Sequence, residues 1–310
     1  NYDTNKSSNF LVNNFNWNFK DKKFSNGVKG KFLTNFKNIN YESKNIENLK
    51  QDTTSELYGA FGYFSEIDLQ KEENGNRYIL KPKFLLRFAP GSMRKQTSGS
   101  RLDPDAAFSM DRLDRENNFE TGLSSTIGFD YNITAREKEL DFSVAQVLNQ
   151  KENDKMPSKT SLDEKTSDLV GKSTLKLNNN VSFSYNFSLD ENYENFNYND
   201  LETTLEFNPF KLNFNYLLED RHIGNQEYFK TSLNYNSNNS LISFETKRNL
   251  IKDSSEFYNL SYEYINDCLR AGIVYRREFY SDSELETENS LMFRVTLSNF
   301  GNINSPSFNK

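Results

Sequence analysis

The chain holds one histidine and one cysteine, so the residue types that most often perform bond chemistry are scarce. His222 follows Glu219 and Asp220, and a carboxylate beside an imidazole could act with it as a general base. A single histidine in a polar connecting segment is, however, far more often inert than catalytic. We therefore predict no catalytic residue and expect that the protein is not an enzyme.

Metal and cofactor sites need groups of ligands that this sequence does not offer. Cys268 cannot form a disulfide within the chain, and together with His222 it gives too few ligands for zinc. No glycine-rich phosphate loop appears either. We expect neither a metal nor a cofactor, and the net charge of -6 argues against nucleic acid as a partner.

The composition combines low hydropathy with many aromatic side chains. Aromatic residues make up 15% of the 310 residues, although the mean hydropathy is -0.84. Disordered chains are poor in aromatic residues, so some of these rings must be buried or meet lipid. No apolar run reaches the roughly 18 residues of a membrane helix. The combination is typical of a membrane β-barrel, in which only every second strand residue faces lipid.

Apolar and polar residues alternate along most of the chain, which predicts strands with one apolar and one polar face. In 181–189, for example, Phe183 and Tyr185 alternate with Ser182, Ser184 and Asn186. We predict about fifteen strands, each near the length that a tilted strand needs to cross a bilayer. They lie near 11–20, 30–39, 56–70, 77–89, 119–133, 138–148, 171–178, 181–190, 200–207, 210–218, 227–236, 240–247, 256–265, 269–280 and 289–298.

The predicted connections alternate between long polar segments and short turns. The long set is 40–55, 90–118, 149–170, 191–199, 219–226, 248–255 and 281–288, and most of the connections between them are short. This parity is typical of outer-membrane barrels, which have long outer loops and short periplasmic turns. Cys268 lies in the short turn 266–268, which we place at the oxidising periplasm, where a thiol is expected to find a partner.

Two charged features leave alternatives open. The predicted loop 90–118 mixes arginine and lysine with aspartate and is too long for a simple connector. It either folds over or into a barrel or remains a solvated mixed-charge loop. Arg276 and Arg277 near the start of a later strand either pair inside a barrel or face lumenal carboxylates or phosphates.

Three segments have a more specific order of residues. One runs from Tyr262 through the turn Asp267-Cys268 to Asp282, and another runs from Leu80 into the long loop, as far as Gly122. The third contains Ser167, Asp168 and Gly171. Their characteristic positions include Pro82, Arg87, Pro90, Gly91, Asp111, Asp114, Gly122, Asp267, Tyr275, Arg276, Arg277, Phe279 and Asp282.

In order and spacing, these segments resemble the C-terminal region of the lipopolysaccharide (LPS) assembly outer-membrane protein LptD, also called organic solvent tolerance protein. The resemblance covers residues 57–301, whereas 1–56 match only in composition and alternation as early barrel strands, and 302–310 form a tail. It implies an all-β fold, a transmembrane antiparallel β-barrel of which this chain is the C-terminal part. The full barrel of the family has about 26 strands.

The resemblance also implies a function and partners. The barrel would be plugged by the lipoprotein LptE, receive LPS from a periplasmic bridge protein through a missing N-terminal domain, and release it sideways into the outer leaflet. The location would be the outer membrane of a Gram-negative cell. Because the chain starts at Asn1 without Met or a signal peptide, we expect a processed chain or a fragment.

Two site assignments follow from the resemblance alone. The last strand, 289–298, would form one side of the lateral gate, with Leu291, Phe293, Val295 and Leu297 on its apolar face. Its open edge would pair with a first strand absent here. Cys268 would form a disulfide with a cysteine of the missing N-terminal part. The family usually carries two adjacent cysteines at this turn, but Leu269 follows Cys268.

Other functions remain open at this point. The alternation argues for a membrane barrel, not for LPS, so a general porin or a substrate-specific channel without a lateral exit is the main alternative. A periplasmic cysteine favours the translocon because porins rarely carry one. A large soluble β protein is the third possibility.

Overall fold

The computed structural model describes residues 5–46, 49–113, 115–220, 225–279, 288–297, 301–304 and 308–309. Throughout these ranges the regular structure is β-strand, apart from two short 3-10 turns at Ala106–Phe108 and Ser158–Thr160. In the same ranges no helix has the length and apolar character needed to cross a bilayer. The fold is therefore all-β, as the alternation predicts.

The strands are numbered in chain order. They are β1 Ser7–Asn18, β2 Lys22–Lys23, β3 Val28–Lys44, β4 Asp52–Ile67, β5 Leu69–Glu73, β6 Asn76–Ala89, β7 Gly122–Ala135, β8 Lys138–Asn149, β9 Leu169–Leu177, β10 Val181–Leu189, β11 Phe196–Phe207, β12 Phe210–Glu219, β13 Gln226–Asn236, β14 Ser240–Asn249, β15 Ser254–Ile265, β16 Leu269–Glu278, β17 Glu288–Leu297, β18 Gly301–Asn304 and β19 Phe308–Asn309.

Neighbouring strands pair antiparallel, mostly as consecutive hairpins. Examples are β3 with β4, β6 with β7, and each successive pair from β11 to β17. The connections alternate as predicted: 90–121 and 150–168 are long, whereas 136–137 and 208–209 are tight turns. Short hairpin turns force consecutive strands to run antiparallel, so the turn residues set this arrangement.

Several predicted boundaries are wrong because polar residues continue a strand when they alternate with residues on its other face. β3 extends to Lys44, so the predicted connection 40–55 shrinks to 45–51. The predicted strand 56–70 is β4 followed by β5, with a break at Asp68, and both parts pair with β6.

The predicted closing strand is not the last strand of the described chain. β17 pairs with β16 on one edge, and the short strands β18 and β19 pair with its other edge. The segment predicted as a simple tail therefore returns along the edge that we expected to be open. Hydrogen-bonding this edge satisfies backbone groups that would otherwise remain unpaired.

The chain is divided into two compact units. Unit 1 comprises Asn1–Arg136, Leu140–Lys172 and Phe187–Phe196, and unit 2 comprises Glu137–Glu139, Ser173–Asn186 and Asn197–Lys310. In unit 1 the alternation along β3 is strong: Asn35, Lys37, Ile39 and Tyr41 are buried, while the residues between them are more exposed. A buried cluster forms around Ile39, with the members Tyr41, Tyr58, Ala60, Ala89 and Phe119.

Unit 2 has strands with two contrasting faces. One face carries exposed apolar side chains such as Leu233, Ile242 and Leu260. On the other face polar side chains hydrogen-bond between strands: Asn213 Nδ2 donates to Ser232 Oγ at 3.0 Å, and Asn215 Nδ2 donates to Asp200 Oδ1 at 2.7 Å. We call these the apolar face and the polar face.

Truncating Ile39 tests the buried face of unit 1. We expect Ile39→Ala to lower the free energy of unfolding by about 2–5 kcal/mol, because Ile39 is fully buried among packed side chains. Leu57→Ala, at a position 75% exposed, is the matched control and should change it by about 0.5 kcal/mol or less. Denaturation in detergent followed by circular dichroism measures both. Equal losses in the two variants would contradict the assignment of faces.

Candidate functional site

The long connection 90–121 folds back onto the strands of unit 1 and does not remain a solvated loop. Its ends are set by two glycines with positive φ, Gly91 at 106° and Gly122 at 127°. Side chains with a Cβ rarely adopt this backbone conformation, so glycine is required at both turns. Leu102, Arg112 and Phe119 of this connection are buried. Of the two alternatives left open by its charges, the structure selects the folded one.

A buried carboxylate with two arginines anchors the end of this loop. Glu120 Oε2 accepts hydrogen bonds from the backbone N–H of Arg112 at 3.2 Å and from its Nε at 2.8 Å. Glu120 Oε1 lies 3.5 Å from Arg87 Nη1. Arg87, on β6, also donates from Nε to the carbonyl of Met110 at 2.7 Å. Arg112 reaches β7 through Ser124 Oγ at 2.9 Å, so the cluster ties the loop to two strands.

Electrostatics around Glu120 favour its charged form. Burial by itself would raise the pKa of this carboxyl, but the guanidiniums of Arg112 and Arg87 outweigh it and lower the pKa to about 2. Asp111 behaves differently: burial raises its pKa, although the ammonium of Lys37 acts in the opposite direction. The two arginines thus favour the charged form of Glu120 despite its burial.

Lys37 forms a second anchor from β3. Its Nζ donates to Asp111 Oδ2 at 2.6 Å and to the carbonyls of Asn118 at 3.0 Å and Arg115 at 3.3 Å. The same ammonium lies 5.4 Å from the centroid of the Phe119 ring. Phe119 is fully buried, so one lysine fixes the segment 111–119 through hydrogen bonds and a cation–π contact.

A third anchor joins the start of the loop to its end. Arg94 forms an ion pair with Glu56 of β4, and Asn118 Nδ2 donates to the carbonyl of Arg94 at 2.9 Å. The phenol of Tyr58 donates to Glu56 Oε2 at 2.9 Å. The loop is thus held by side chains from four strands, β3, β4, β6 and β7.

The second long connection, 150–168, packs against the first one. Their shared apolar cluster contains Met93, Leu102, Ala107, Leu113, Ala145, Val147, Met156, Leu162 and Val170. Asp168 Oδ2 accepts from Ser188 Oγ at 2.7 Å, which links this loop to β10. The two loops therefore form one packed layer on unit 1.

A cavity of about 810 Å³ lies beside this layer, between β1, β3 and the loop segment 108–116. Asn16, Asn35, Phe108 and Arg115 are among its lining residues. Its size falls within the roughly 300–1,000 Å³ of small-molecule sites, so it is large enough for a ligand.

Part of the predicted family motif meets at the loop. Arg87 and Asp111 belong to the anchors, and Gly91 and Gly122 shape the turns. The two prolines lie in β6 and directly after it: Pro82 pairs with Phe129 in the ladder, and Pro90 follows the last residue of the strand. Asp114 lies outside the described residues.

Residues that the motif did not single out complete the site. Lys37, Glu56 and Phe119 were not predicted as site residues, yet they hold the loop. One signal was available for Lys37: it falls on the face of β3 shared with Ile39 and Tyr41, where a charge needs a partner.

The turn at Cys268 is well defined by its hydrogen bonds. Asn266 Oδ1 accepts from the backbone N–H groups of Cys268 at 3.0 Å and Leu269 at 2.7 Å. The thiol is free and exposed, and Asp267 precedes it in the same turn. His222 and Asp282 lie outside the described residues.

Arg276 and Arg277 point to opposite faces of β16, as consecutive strand residues must. Arg276 forms an ion pair with Glu278 and lies 5.2 Å from the Phe257 ring centroid. Arg277 is on the exposed face, 4.7 Å from the ring of Phe279. The two arginines therefore lie in different environments.

The other predicted residues of this region lie on β16, after it, and on β17. The phenol of Tyr275 donates to Asn289 Oδ1 at 3.1 Å, and the ring of Phe279 packs edge-on against Tyr258 at 5.5 Å. The four residues proposed for the lateral gate alternate along β17 and pair with β16 in register. They are Leu291, Phe293, Val295 and Leu297.

Comparison with known proteins gives one family match. A family model described as "LptD: LPS transport system D" matches residues 103–250, which include most of the first loop, all of the second, and β7 to β14. Over these residues the match confirms the resemblance, and the description is that of a transport system. No curated protein matches the chain.

Solved structures give distant likenesses. Two engineered variants of the porin of Rh. blastica are 10% identical, with 88% of this chain and 86% of theirs covered at a TM-score of 0.31. A structure described as "Asymmetric conductivity of engineered proteins" is also 10% identical, with coverages of 92% and 89% and the same TM-score.

Neutralising Glu120 tests the main anchor. We expect Glu120→Gln to lower the free energy of unfolding by about 3–5 kcal/mol at neutral pH, because it leaves two buried guanidiniums without a counter-charge. Glu116→Gln, an exposed carboxylate of the same loop, is the control and should have little effect. Unfolding in denaturant measures both variants, and a stable Glu120→Gln protein would show that the loop does not depend on this ion pair.

The pH dependence of stability is a second test of the same carboxylate. The pKa of Glu120 is about 2 in the folded protein and 4.5 as the ordinary value, so its stabilising contribution is complete above pH 4.5. It is lost as the pH falls towards 2. We expect the stability gap between wild type and Glu120→Gln to shrink by about 3 kcal/mol over this window. A gap independent of pH would refute the assignment.

Proposed function

We propose that this chain, whose residues 103–250 form an LptD-type region, works in LPS transport as part of an outer-membrane β-barrel that delivers LPS to the outer leaflet. The family match is the single observation that carries this proposal. The faces of the strands and the anchored loops supply the physical means.

An amphiphile needs two environments along its route, and the strands of this chain offer both. The apolar face, with side chains such as Leu233 and Leu260 exposed, is suited to lipid. The polar face carries asparagine, serine and threonine that hydrogen-bond across strands and can be wetted. Polar sugars would move along the second face, whereas acyl chains would remain with lipid. No bond chemistry is required of the protein.

The anchored loops have a role in this proposal as well. A closed barrel in a membrane has loops on the outer side, and we assign 90–121 and 150–168 to that side. Held by Glu120 and Lys37, the first loop would cover the buried face of β3 within unit 1.

Several detailed features of the transport machinery also belong to the proposal. They are a barrel of about 26 strands, the plug lipoprotein LptE, a periplasmic bridge protein, and lateral exit at β17. A disulfide between Cys268 and a cysteine outside this chain belongs with them, and the exposure of the thiol fits it. The pairing of β17 with β18 and β19 adds a requirement: these short strands must leave that edge before another strand can pair there.

A general porin or substrate-specific channel is the second candidate. It would use the same two faces and needs no lateral exit. The two candidates differ in what is lost when the protein is removed. Loss of an LPS transporter would remove LPS from the cell surface, whereas loss of a channel would change permeability to small solutes.

Depletion of the full-length protein in cells separates these candidates. We expect newly made LPS to disappear from the surface and to return with wild-type protein, because no other route would carry it. Surface labelling of LPS measures this, with uptake of a small polar solute as the parallel readout. Normal LPS delivery with altered solute uptake would contradict the proposal and favour the channel. Cys268→Ser then tests the disulfide through non-reducing electrophoresis.

A further inference from the structure

The cavity between β1, β3 and the loop segment 108–116 has a wall made of amides. Asn14, Asn16 and Asn18 follow one another at every second position of β1, and all three line the cavity. Because strand side chains alternate, their shared parity places them on one face. We call this space the asparagine cavity.

The register extends the amide wall onto β3. Asn16 pairs with Asn35, and Asn14 pairs with Lys37. Side chains directly opposite each other in an antiparallel pair are neighbours, so two asparagines face the cavity side by side. Each amide offers both a donor and an acceptor, which suits a ligand that does the same.

Asn35 provides independent evidence that this wall can accept a hydrogen bond from a ligand. Its side chain lines the cavity and is only 5% exposed, yet within the described part of the chain its Oδ1 has no hydrogen-bond partner. A buried acceptor without a donor is costly, so a water or a ligand hydroxyl is expected there.

The lining also contains aromatic side chains and a modest charge. Phe64 and Phe108 line the cavity, with ring centroids 6.0 Å apart. The ammonium of Lys31 lies 5.3 Å from the Phe64 centroid, and Arg115 and Glu116 lie at the loop side. Lys37 and Asp111 are bound to each other, so they add little net charge. The lining therefore matches a hydroxyl-rich ligand better than a strongly charged one.

We propose that the asparagine cavity binds a sugar chain. Asn14, Asn16, Asn18 and Asn35 exchange hydrogen bonds with its hydroxyls, and the aromatic rings contact the apolar faces of its sugar rings. Lys31 accommodates one anionic substituent. The sugar has two possible sources, the saccharide of LPS or a free oligosaccharide. The first source rests on the proposed function, whereas the second does not.

Direct binding to the purified full-length protein tests the proposal. The probes are deacylated LPS saccharide and a neutral maltooligosaccharide, each titrated calorimetrically into the protein with its native partners in detergent. The variants are Asn16→Leu and Asn14→Leu, and the control is Asn13→Leu, which lies on the opposite face of β1 and does not line the cavity. Retained β-structure by circular dichroism shows that each variant folds.

Each outcome decides a different point. We expect at least one probe to bind and the affinity to fall about five- to tenfold in Asn16→Leu and Asn14→Leu, but not in Asn13→Leu. Binding of the LPS saccharide alone identifies LPS as the source, and binding of the maltooligosaccharide identifies a free sugar. If neither probe binds, or all variants bind equally, the cavity is not a sugar site. Surface LPS measured in cells that carry the same variants shows separately whether the transport proposal stands.

Discussion

The charge cluster at Glu120 is the interaction on which the loop layer of unit 1 depends. Removing three charged groups from water is costly, and their mutual contacts, together with hydrogen bonds to Met110 and Ser124, compensate for it. Arg87 comes from β6, whereas Arg112 and Glu120 come from the two ends of the segment 112–120. These ion pairs hold the segment against the strands, where Phe119 and Leu113 are buried. The cavity wall formed by the loop follows from the same placement.

The alternation of the strands sets the second constraint. Each strand must present one face to an apolar surrounding and the other to a polar one, because its side chains alternate. In unit 2 the polar face is satisfied by hydrogen bonds between neighbouring strands, such as Thr204 Oγ1 to Asn213 Oδ1 at 3.0 Å. Unit 1 instead covers its buried face with a loop. The two units therefore satisfy the same alternation in two different ways.

The sequence predicts the strand-rich fold well because alternation is a local property. Segments such as 181–189 and 210–219 carry it in their own residues, and asparagine- or proline-containing turns mark their ends. Whether the loop 90–121 packs onto the strands or remains solvated could not be predicted in this way. Arg112 is buried with Glu120, whereas Asp111 and Arg94 are paired by Lys37 and Glu56, which are distant from them in sequence. The place of Lys37 on the buried face of β3 indicates that it needs a partner, but local sequence does not identify that partner.

Other features could not be predicted from the sequence for related reasons. The pairing of β18 and β19 with β17 is a long-range choice between edges, which composition does not encode. In the sequence the residues of the amide wall are scattered asparagines. Only the register of β1 and β3 shows that Asn16 lies opposite Asn35. The opposite faces of Arg276 and Arg277, by contrast, follow from strand geometry alone and could have been predicted.

Photo-crosslinking in living cells tests the central claim, LPS movement along the polar face, most directly. A photoreactive residue replaces Asn215 on the polar face or Leu260 on the apolar face of unit 2, in the full-length protein. The account predicts LPS crosslinks at position 215 that disappear when LPS synthesis stops. It also predicts that any crosslinks at position 260 do not disappear when LPS synthesis stops. Continued LPS delivery without a crosslink at position 215, or at any other polar-face position, would contradict it.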